Sequence, residues 1–377
     1  MYQPAEAPGE EVCAQPPFCS QSIRFHRALG RAACFPSRPN DYARQWILAQ
    51  TSQKLQLALI FGGRSGEHEI SARSAESVKK ALDPTKYNVI EYFIDRNGKW
   101  HPNAILPEPG ANGAIDVVFP LLHGTFGEDG TVQGLLELAD LPYVGAGVLG
   151  SAVSMDKAVT KKLCMQAGLP VVEHLSLTRG EFDPKTLRLP FGFPVFVKPA
   201  NLGSSVGITK AKTGEQLAAA LEMASQYDRK LVVERGVTGR EFECAVLGGD
   251  PPRASTPCEI IPSQEFYTYE DKYLLDKARI ELPAKLSEAQ TKEMQRLALA
   301  CFEAVSCEGM GRVDFLLENS SGQFYINEIN TIPGFTSISM YPKMFEYGGI
   351  PYSQLLDTLI ELALERARTR QATQYTR

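Results

Sequence analysis

Residues 311–330 read GRVDFLLENSSGQFYINEIN, and this stretch decides the fold of the C-terminal part of the chain. Arg312 and Asp314 alternate along one apolar segment, so both side chains lie on the same face of a predicted strand. Glu328 and Asn330 alternate in the same way along a second segment, and the ENSSG between the two segments has turn composition. The stretch therefore predicts a β-hairpin with charged and amide side chains on one face.

A hairpin centred on Ser321 places Asp314 opposite Glu328 and Arg312 opposite Asn330. Directly opposed side chains lie roughly 5 Å apart at Cβ, and opposed like charges destabilise a hairpin unless a cation lies beside them. Two carboxylates and an amide oxygen are ligands of the kind that Mg²⁺ binds. The pattern therefore predicts a magnesium site, and the alternative is a surface pair of acids with an unrelated asparagine. Arg312 adds a fixed cation suited to an oxyanion or a carboxylate.

Length and composition limit the classes of protein. The 377 residues indicate two or three domains, and the content of 44% hydrophobic and 22% charged residues is typical of a soluble globular protein. The net charge of -5 argues against a nucleic-acid binder, and no apolar run has the length of a membrane-spanning helix. The eight cysteines form no C-x-x-C pair, which favours a reducing cytoplasm over a zinc site or a disulfide scaffold.

Changes of pattern along the chain predict its domains. Residues 1–53 are rich in Pro, Ala and Arg without a sustained period, so we expect a disordered extension; an organellar presequence and an upstream start codon are the alternatives. From Leu55 onward, a strand, a glycine turn and a helix begin an α/β unit. The predicted boundaries are 54–150 for this N-terminal domain, 151–236 for a central domain, 237–367 for a C-terminal domain and 368–377 for a tail.

A glycine- and serine-rich loop over residues 200–207 follows a buried strand that ends in Lys198. Gly203 and Gly207 let backbone amides approach an anion, and two serine hydroxyls add donors. The loop is neither a Walker loop nor a Rossmann fingerprint. By itself it is weak evidence, because many hairpins contain Gly and Ser, but the lysine directly before it favours a phosphate site.

Three charged residues have an ordinary interpretation from pattern alone. A helix is predicted over Ser151–Ala167, because Gly168 stands at its C-terminal cap position. Lys157 lies in this helix and is expected on an exposed face. Glu234 and Glu241 end and begin predicted strands, and we expect surface acids at both positions.

Two loops of the N-terminal domain follow predicted strands, Gly62–Ser71 and His123–Gly130. In open α/β sheets, ligands lie beyond the carboxyl ends of the strands, where both loops are expected. Backbone amides of the first loop favour a negative group, and Glu67 would in turn hold a ligand ammonium. His68 and His123 are too few and too loosely spaced for zinc.

Seven motifs, in order along residues 55–367, resemble those of the D-alanine–D-alanine ligase family. They are Gly62–Ser71, His123–Gly130, Ser154–Lys157, Lys198–Gly207, Asp271–Tyr273, Gly311–Asp314 and Asn327–Ser337. A match to any one of these motifs can arise by chance, whereas the whole set in this order is very specific for the family. The resemblance does not extend to the N-terminal extension.

The resemblance implies a three-domain ATP-grasp fold of mixed α/β and α+β class, with an N-terminal Rossmann-like α/β domain and ATP between the other two domains. Three lysines of the implied ATP site would contact the phosphates, Glu234 and Val237 would line the adenine site, Phe266 would pack on the ring and Glu241 would bind the ribose. The implied ATP-binding residues are Lys157, Lys198, Gly203, Ser204, Ser205, Glu234, Val237, Glu241, Phe266 and Lys272.

The same resemblance implies that two D-alanine molecules are joined through a D-alanyl phosphate for peptidoglycan precursor synthesis. Asp314, Glu328 and Asn330 would hold two Mg²⁺ ions, with Mn²⁺ as a substitute. The implied substrate-binding residues are Glu67, His123, Arg312, Ser339 and Met340. The implied catalytic residues are Glu67, Ser204, Tyr273, Arg312, Gly334 and Ser339.

Within that set, Glu67 with His123 would bind the first D-alanine, and Arg312 with Gly334 would stabilise the oxyanion. Ser339 and Met340 would contact the second D-alanine. Ser204, Tyr273 and Glu67 resemble a hydrogen-bonded set that holds a lid, for which the polar and aromatic segment 264–277 is the candidate.

The implied partners are D-alanine and ATP, without nucleic acid or membrane insertion, in a cytoplasmic homodimer. Three alternatives remain: a D-Ala–D-lactate or D-Ala–D-Ser ligase, another carboxylate–amine ligase of the ATP-grasp fold, and a non-catalytic ATP-grasp binding protein. The last would be expected to lack Lys198, Arg312 or a metal ligand, and all of these are present.

Overall fold

The computed structural model describes residues 54–262, 279–336 and 338–375. Within these ranges the chain forms three β-sheets, which belong to one compact unit that begins at Gln53. Some predictions fall outside the described residues: the extension 1–53, the lid 264–277 and the site residues Phe266, Lys272 and Tyr273. The predicted domain boundaries stay predictions.

The first sheet is mainly parallel, as expected for an α/β unit. Strand β1 (Leu55–Gly62) pairs in parallel with β2 (Tyr87–Ile94) and β4 (Val117–Pro120), and the short β3 (Trp100–His101) is antiparallel to β2. Helix α1 (His68–Ala81) packs on β1. β1 is buried on both faces because it is the central strand of a covered sheet.

The prediction of one helix over Ser151–Ala167 is wrong in one respect, because this segment forms parts of two helices. After α2 (Thr131–Leu138), helix α3 (Val148–Met155) ends where α4 (Lys157–Gln166) begins. Asp156 between them has extended backbone, and its carboxylate accepts hydrogen bonds from the N–H groups of the first turn of α4. Aspartate competes for backbone donors in this way, so it interrupts an otherwise helical pattern.

The second sheet is antiparallel, in the order β5-β8-β6-β7. Helix α5 covers it through apolar residues such as Leu217 and Leu221, which pack on buried valines of β6 and β8. The elements are β5 (His174–Thr178), β6 (Val195–Pro199), β7 (Thr209–Ala211), α5 (Gly214–Tyr227) and β8 (Lys230–Arg235).

The third sheet is also antiparallel, in the order β12-β11-β9-β13-β14, with β10 paired to β9. Its strands are β9 (Gly239–Leu247), β10 (Arg253–Ala254), β11 (Cys258–Ile261), β12 (Arg279–Glu281), β13 (Met310–Glu318) and β14 (Phe324–Asn330). Helix α6 (Glu288–Ala304) packs against this sheet and starts with a capping box between Ser287 and Gln290, as the sequence predicts.

The β13–β14 hairpin has the predicted register at its functional end and a β-bulge beyond it. Asp314 lies opposite Glu328, as predicted, whereas the next residue, Phe315, lies opposite Ile326. Asn327 is therefore the extra residue of the bulge, which the sequence analysis did not predict.

The largest buried core joins the first sheet to the end of the chain. Helix α7 (Met340–Tyr347) precedes α8 (Tyr352–Gln371), which packs against α1 and β4 and continues past residue 367, where the tail was expected. Phe335 and Leu359 belong to the same cluster as Phe119 of β4, and the Phe119 and Phe335 ring centroids are 5.5 Å apart. No helix of the described residues combines the length and apolar character needed to cross a membrane.

The cap at Asp156 can be tested by substitution. Asp156→Ala removes the acceptor of two backbone amides and the ion pair with Lys230, so we expect it to lower the free energy of unfolding by about 1 to 2 kcal/mol, measured by urea denaturation. Lys230→Met removes only the ion pair of a half-exposed lysine and should cost less than about 1 kcal/mol. Equal losses in the two variants would contradict the capping role.

Candidate active site

Two cavities adjoin each other, and together they contain every predicted site residue that the structure describes. The first, of about 670 Å³, is lined by the predicted substrate and oxyanion residues Glu67, His123, Arg312, Gly334, Ser339 and Met340, and by the predicted metal ligand Asn330. The second, of about 440 Å³, is lined by the predicted ATP residues Lys157, Lys198, Gly203, Ser204, Ser205, Glu234, Val237 and Glu241, and by Asp314. Four residues line both cavities: Gly203, Ser204, Glu243 and Glu328.

A row of three carboxylates crosses the third sheet at the junction of the cavities. Asp314 of β13 lies opposite Glu328 of β14 and also opposite Glu243 of β9. Glu243 is not among the residues predicted from the sequence, although it alternates with Glu241 along one strand in the same way as the hairpin residues do. Opposed like charges destabilise a sheet, so this row requires cations around it.

Arg312 supplies one of these cations. Its Nε and Nη2 atoms donate hydrogen bonds of 2.7 and 2.6 Å to the two oxygens of Asp314, and its Nε lies 3.4 Å from Glu243. Burial by itself would lower the pKa of Arg312, but the neighbouring Asp314 and Glu243 carboxylates raise that pKa well above its usual value. Because a guanidinium has five N–H donors, Arg312 can pair with Asp314 and still donate into the first cavity.

The chemistry of the predicted metal ligands fits Mg²⁺. Asp314, Glu328 and Asn330 offer only oxygen ligands, and the Asn330 amide lies 3.1 Å from Asp314. The described residues contain no group of three or more His, Cys, Asp or Glu side chains that would hold a metal by themselves. A metal at this site therefore needs further ligands from water or from a bound anion such as a phosphate.

Lys157 connects the carboxylate row to the glycine- and serine-rich loop. It is 7% exposed, so the expectation of an exposed lysine is wrong. Its Nζ lies 3.2 Å from Glu328 and donates a 2.8 Å hydrogen bond to the carbonyl of Leu202. The helix break at Asp156 makes Lys157 the first residue of α4, which directs this lysine into the second cavity.

The loop has left-handed backbone at two serines and at one of its glycines. Ser204 and Ser205 have φ of 51° and 61°, a conformation that non-glycine residues rarely adopt, and Gly207 has φ of 72°. Gly203 packs closely against Glu67, because a Cβ at Gly203 would lie 3.3 Å from the Glu67 carboxylate. Strained serines in a cleft are typical of a functional loop.

Two buried lysines hold Glu234 in the wall of the second cavity. Glu234 is 2% exposed, which corrects the expectation of a surface acid. Its carboxylate lies 3.1 Å from Lys161 and 2.8 Å from Lys198. Burial alone would raise the pKa of Glu234, but the charges of Lys161 and Lys198 outweigh it and lower the pKa to about 2. Glu234 is therefore ionised at neutral pH.

Glu67 and Ser204 meet across the junction, as the resemblance implies. The Ser204 hydroxyl donates to the Glu67 carboxylate, and the Glu67 backbone N–H donates to Ser65. A Cβ on Gly124 would lie only 2.7 Å from the same carboxylate, so the second N-terminal loop encloses Glu67 closely. Both predicted loops of the first sheet therefore shape one acidic wall of the first cavity.

His123 is held by protein partners on both ring nitrogens. Nδ1 lies 2.9 Å from the carbonyl of Ile332, so it carries the proton, and Nε2 accepts from the hydroxyl of Ser74 at 3.0 Å. Burial lowers the pKa of His123, which keeps the ring neutral. This geometry favours a neutral His123 that fixes the cavity wall, rather than a charged His123 that binds the ligand through its positive charge.

Glu128 is a second residue that the sequence analysis left without a role, although it lies in the quoted His123–Gly130 loop. Its carboxylate accepts from the backbone N–H groups of Ile332 at 3.1 Å and Gly124 at 3.2 Å, and it lines the first cavity. Burial, followed by the negative charge of Glu67, raises the pKa of Glu128 to about 8.

The loop after β14 presents a backbone donor to the first cavity. Thr336 uses its N–H to bond the Ser339 hydroxyl at 3.0 Å, and Phe335 uses its N–H to bond Ser74 at 3.3 Å. A Cβ on Gly334 would lie 2.6 Å from the same Ser339 hydroxyl, so a larger residue there would displace this hydroxyl. Gly334 lines the first cavity, and among the described residues its N–H has no backbone partner.

Family models and individual relatives of this chain point to the same family. The family model described as D-ala D-ala ligase C-terminus matches residues 163–361, and the one described as D-ala D-ala ligase N-terminus matches residues 56–109 and 103–146. The D-alanine–D-alanine ligase of Solibacter usitatus is 64% identical over 326 residues, which cover 86% of this chain and 100% of that protein.

Solved structures are similar over most of the chain. The D-alanine–D-alanine ligase from Coxiella burnetii has a TM-score of 0.76 at 40% identity and covers 84% of this chain and 96% of its own. The VanG D-Ala:D-Ser ligase from Enterococcus faecalis has a TM-score of 0.76 at 36% identity, with coverage of 82% and 100%. The Bacillus anthracis D-alanine–D-alanine ligase complexed with ATP has a TM-score of 0.71 at 29% identity, with coverage of 84% and 99%.

The raised pKa of Glu128 predicts a pH dependence of stability. Between the ordinary glutamate pKa of 4.5 and about 8, the folded protein binds a proton that the unfolded chain releases. The free energy of unfolding of the wild type should therefore fall through this window as pH rises, relative to the Glu128→Gln variant, which stays neutral. Urea denaturation at about pH 5 and about pH 9 measures the difference.

The control for this experiment is Glu108→Gln, at an exposed position in the loop between β3 and β4. It should leave the pH profile of the wild type unchanged. If the free energy of unfolding of the wild type and that of Glu128→Gln changed with pH in parallel, the raised pKa of Glu128 would be contradicted.

Proposed function

The chain belongs to the D-alanine–D-alanine ligase family, and we propose that its two adjoining cavities are the site where two D-alanine molecules are joined. The protein has the ATP-grasp fold, and its reaction converts two D-alanines and ATP into D-alanyl-D-alanine, ADP and phosphate for peptidoglycan precursor synthesis. The observation that carries the assignment of the site is the wall shared by both cavities, at Gly203, Ser204, Glu243 and Glu328. A nucleotide in one cavity and an amino acid in the other would meet there.

ATP occupies the second cavity in this proposal. Lys157 and Lys198 bind the phosphates, Glu234 and Val237 line the adenine site, and Glu241 binds the ribose. Their common position around one cavity supports these roles. Gly203, Ser204 and Ser205 cover the phosphates from the loop. Phe266 and Lys272 complete the nucleotide site and lie outside the described residues.

The first chemical step activates a carboxylate, which by itself is a poor electrophile. An oxygen of the first D-alanine's carboxylate attacks the γ-phosphorus of ATP, the bond to the bridging oxygen breaks, and D-alanyl phosphate and ADP form. Lys157 and Lys198 neutralise charge on the transferred group, which is the main contribution a protein makes to phosphoryl transfer.

We propose two Mg²⁺ ions, or Mn²⁺ in their place, bound by Asp314, Glu328 and Asn330. When bound, they neutralise the phosphate oxygens and orient the transferred group. Glu328 pairs with Lys157, and Asp314 pairs with Arg312. Both carboxylates therefore already attract cations, which supports their role as ligands of Mg²⁺.

The second step forms the new bond. Glu67 holds the ammonium of the first D-alanine, and Ser339 and Met340 hold the second. The ammonium of the second D-alanine gives a proton to solvent, and the resulting amine attacks the acyl carbon, which forms the carbon–nitrogen bond and a tetrahedral oxyanion. Arg312 and the Gly334 N–H stabilise this oxyanion, which then collapses: the carbonyl re-forms, the carbon–oxygen bond to phosphate breaks, and phosphate leaves. Gly334 and Arg312 both line this cavity, and within the described ranges the Gly334 N–H has no backbone partner, which supports these roles.

An acyl phosphate hydrolyses in water, so the reaction requires a closed site. We propose that Glu67, Ser204 and Tyr273 hold the segment 264–277 as a lid over the junction. The Ser204–Glu67 hydrogen bond supports this arrangement, because it would connect the lid to both the loop and the first sheet.

We also propose a cytoplasmic homodimer. The sulfurs of Cys164 and Cys301 lie 3.8 Å apart without a disulfide, which suits a reducing compartment. Leu138 and Leu149 are 65% and 63% exposed on α2 and α3, and this apolar surface would be covered by a second copy.

Phosphate release from ATP tests the reaction. We expect release to require both D-alanine and Mg²⁺, because an L-alanine that placed its ammonium on Glu67 and its carboxylate at the phosphate would have its methyl group and its α-hydrogen exchanged. Equal rates with L-alanine would contradict the substrate. Mixtures of D-alanine with D-serine or D-lactate, analysed for the dipeptide or depsipeptide formed, separate this reaction from those of the related ligases.

Glu328→Gln tests the metal site. Loss of a residue that only supports a metal ligand typically costs about 10- to 100-fold in activity. Loss of the Glu328 carboxylate, a proposed ligand itself, should reduce turnover by more than this. Steady-state rates over a range of Mg²⁺ concentrations measure it. Glu288→Gln, at an exposed position at the start of α6 and outside both cavities, is the control and should keep near-normal rates. Near-normal turnover of Glu328→Gln would contradict the metal role.

A further inference from the structure

The β-bulge in β14 changes which side chains face the second cavity. Phe324, Ile326 and Ile329 of β14 point into the core, so a regular alternation is interrupted between Ile326 and Ile329. The extra residue is Asn327, and both Asn327 and Glu328 line the second cavity as a result. Bulges next to active sites commonly direct a side chain in this way.

The redirected amide of Asn327 contacts Lys198. Its Oδ1 accepts a 3.1 Å hydrogen bond from Lys198 Nζ, which also donates to Glu234 at 2.8 Å. An ammonium has three donors in a fixed tetrahedral arrangement. Because two of them are held by protein acceptors, the direction of the third is set, and Lys198 lines the cavity into which it would point.

The charge around this lysine explains why a neutral acceptor stands at position 327. Lys161, Lys198 and Glu234 form a buried group of two positive charges and one negative charge. The backbone carbonyl of Asn327 lies 3.4 Å from Lys161, so the residue contacts both lysines without adding charge. The group therefore keeps one net positive charge, which complements a phosphate. An aspartate at 327 would cancel it.

We propose that Asn327 is a positioning residue for the nucleotide phosphates, acting through Lys198. It orients the third N–H of Lys198 toward a phosphate and preserves the positive charge of the buried group. This inference rests on the proposed nucleotide site, and it adds a residue to which the family resemblance gave no role.

Two variants separate orientation from charge. Asn327→Leu has a similar size and removes the acceptor, whereas Asn327→Asp keeps the shape and adds a negative charge. Binding of ADP and of adenosine is measured by calorimetry without D-alanine and with EDTA, so that the neighbouring Glu328 contributes no metal effect. We expect about 10-fold weaker ADP binding for Asn327→Leu, the size of losing one hydrogen bond to a charged group, and a larger loss for Asn327→Asp.

Adenosine is the discriminating ligand because it has no phosphate. Its affinity should stay within about 2-fold of the wild type in both variants. Steady-state kinetics should show a raised KM for ATP and an unchanged KM for the amino acid. Asn319 lies exposed at the turn of the same hairpin, so Asn319→Leu and Asn319→Asp are the matched controls and should leave ADP affinity unchanged.

Three results would overturn the inference: unchanged ADP affinity, equal losses for ADP and adenosine, or Asn327→Asp binding ADP as well as Asn327→Leu does. If Asn327→Leu fails to fold, the isosteric Asn327→Asp decides alone against the Asn319→Asp control. Failure of the ligase assay with D-alanine, alongside the expected ADP pattern, would reject the substrate and leave the role of Asn327 intact.

Discussion

The repulsion among three aligned carboxylates is the constraint on which the site depends. Glu243, Asp314 and Glu328 lie opposite one another on adjacent strands, and a sheet tolerates such a row only with cations around it. Arg312 and Lys157 provide part of this charge from a neighbouring strand position and from the start of α4. The row thus explains why cations converge on the junction of the two cavities, and why a polyanion with its own metal ions is a suitable ligand.

Local irregularities, more than regular elements, direct the functional side chains. The helix break at Asp156 turns Lys157 into the cleft, the bulge at Asn327 brings an amide to Lys198, and the left-handed Ser204 and Ser205 bring the loop to Glu67. Each departs from the local pattern in a place where a continued helix, strand or turn would point the side chain elsewhere. Natural sequences depart from local rules mainly at such functional positions.

The sequence predicts well what depends on local pattern and poorly what depends on distant partners. The register of Asp314 opposite Glu328 follows from alternation and turn composition, and the capping box at Ser287 from one tetrapeptide. The bulge had a readable signal, since apolar residues in FYINEI follow at spacings of two and then three. Glu234 had none: its burial depends on Lys161 and Lys198, which lie far from it in the chain, and only their convergence in space makes an ionised acid stable there.

The core that joins the first sheet to α8 also governs how the chain can acquire its structure. Phe119 packs on Phe335, and Leu359 lies in the same cluster, so residues separated by most of the chain complete one apolar interior. During synthesis the first sheet emerges long before its covering helix, and its apolar face stays open until the ribosome reaches the last residues. A nascent chain that lacks α8 therefore exposes this apolar face, and exposed apolar surface of this kind makes a chain prone to aggregation.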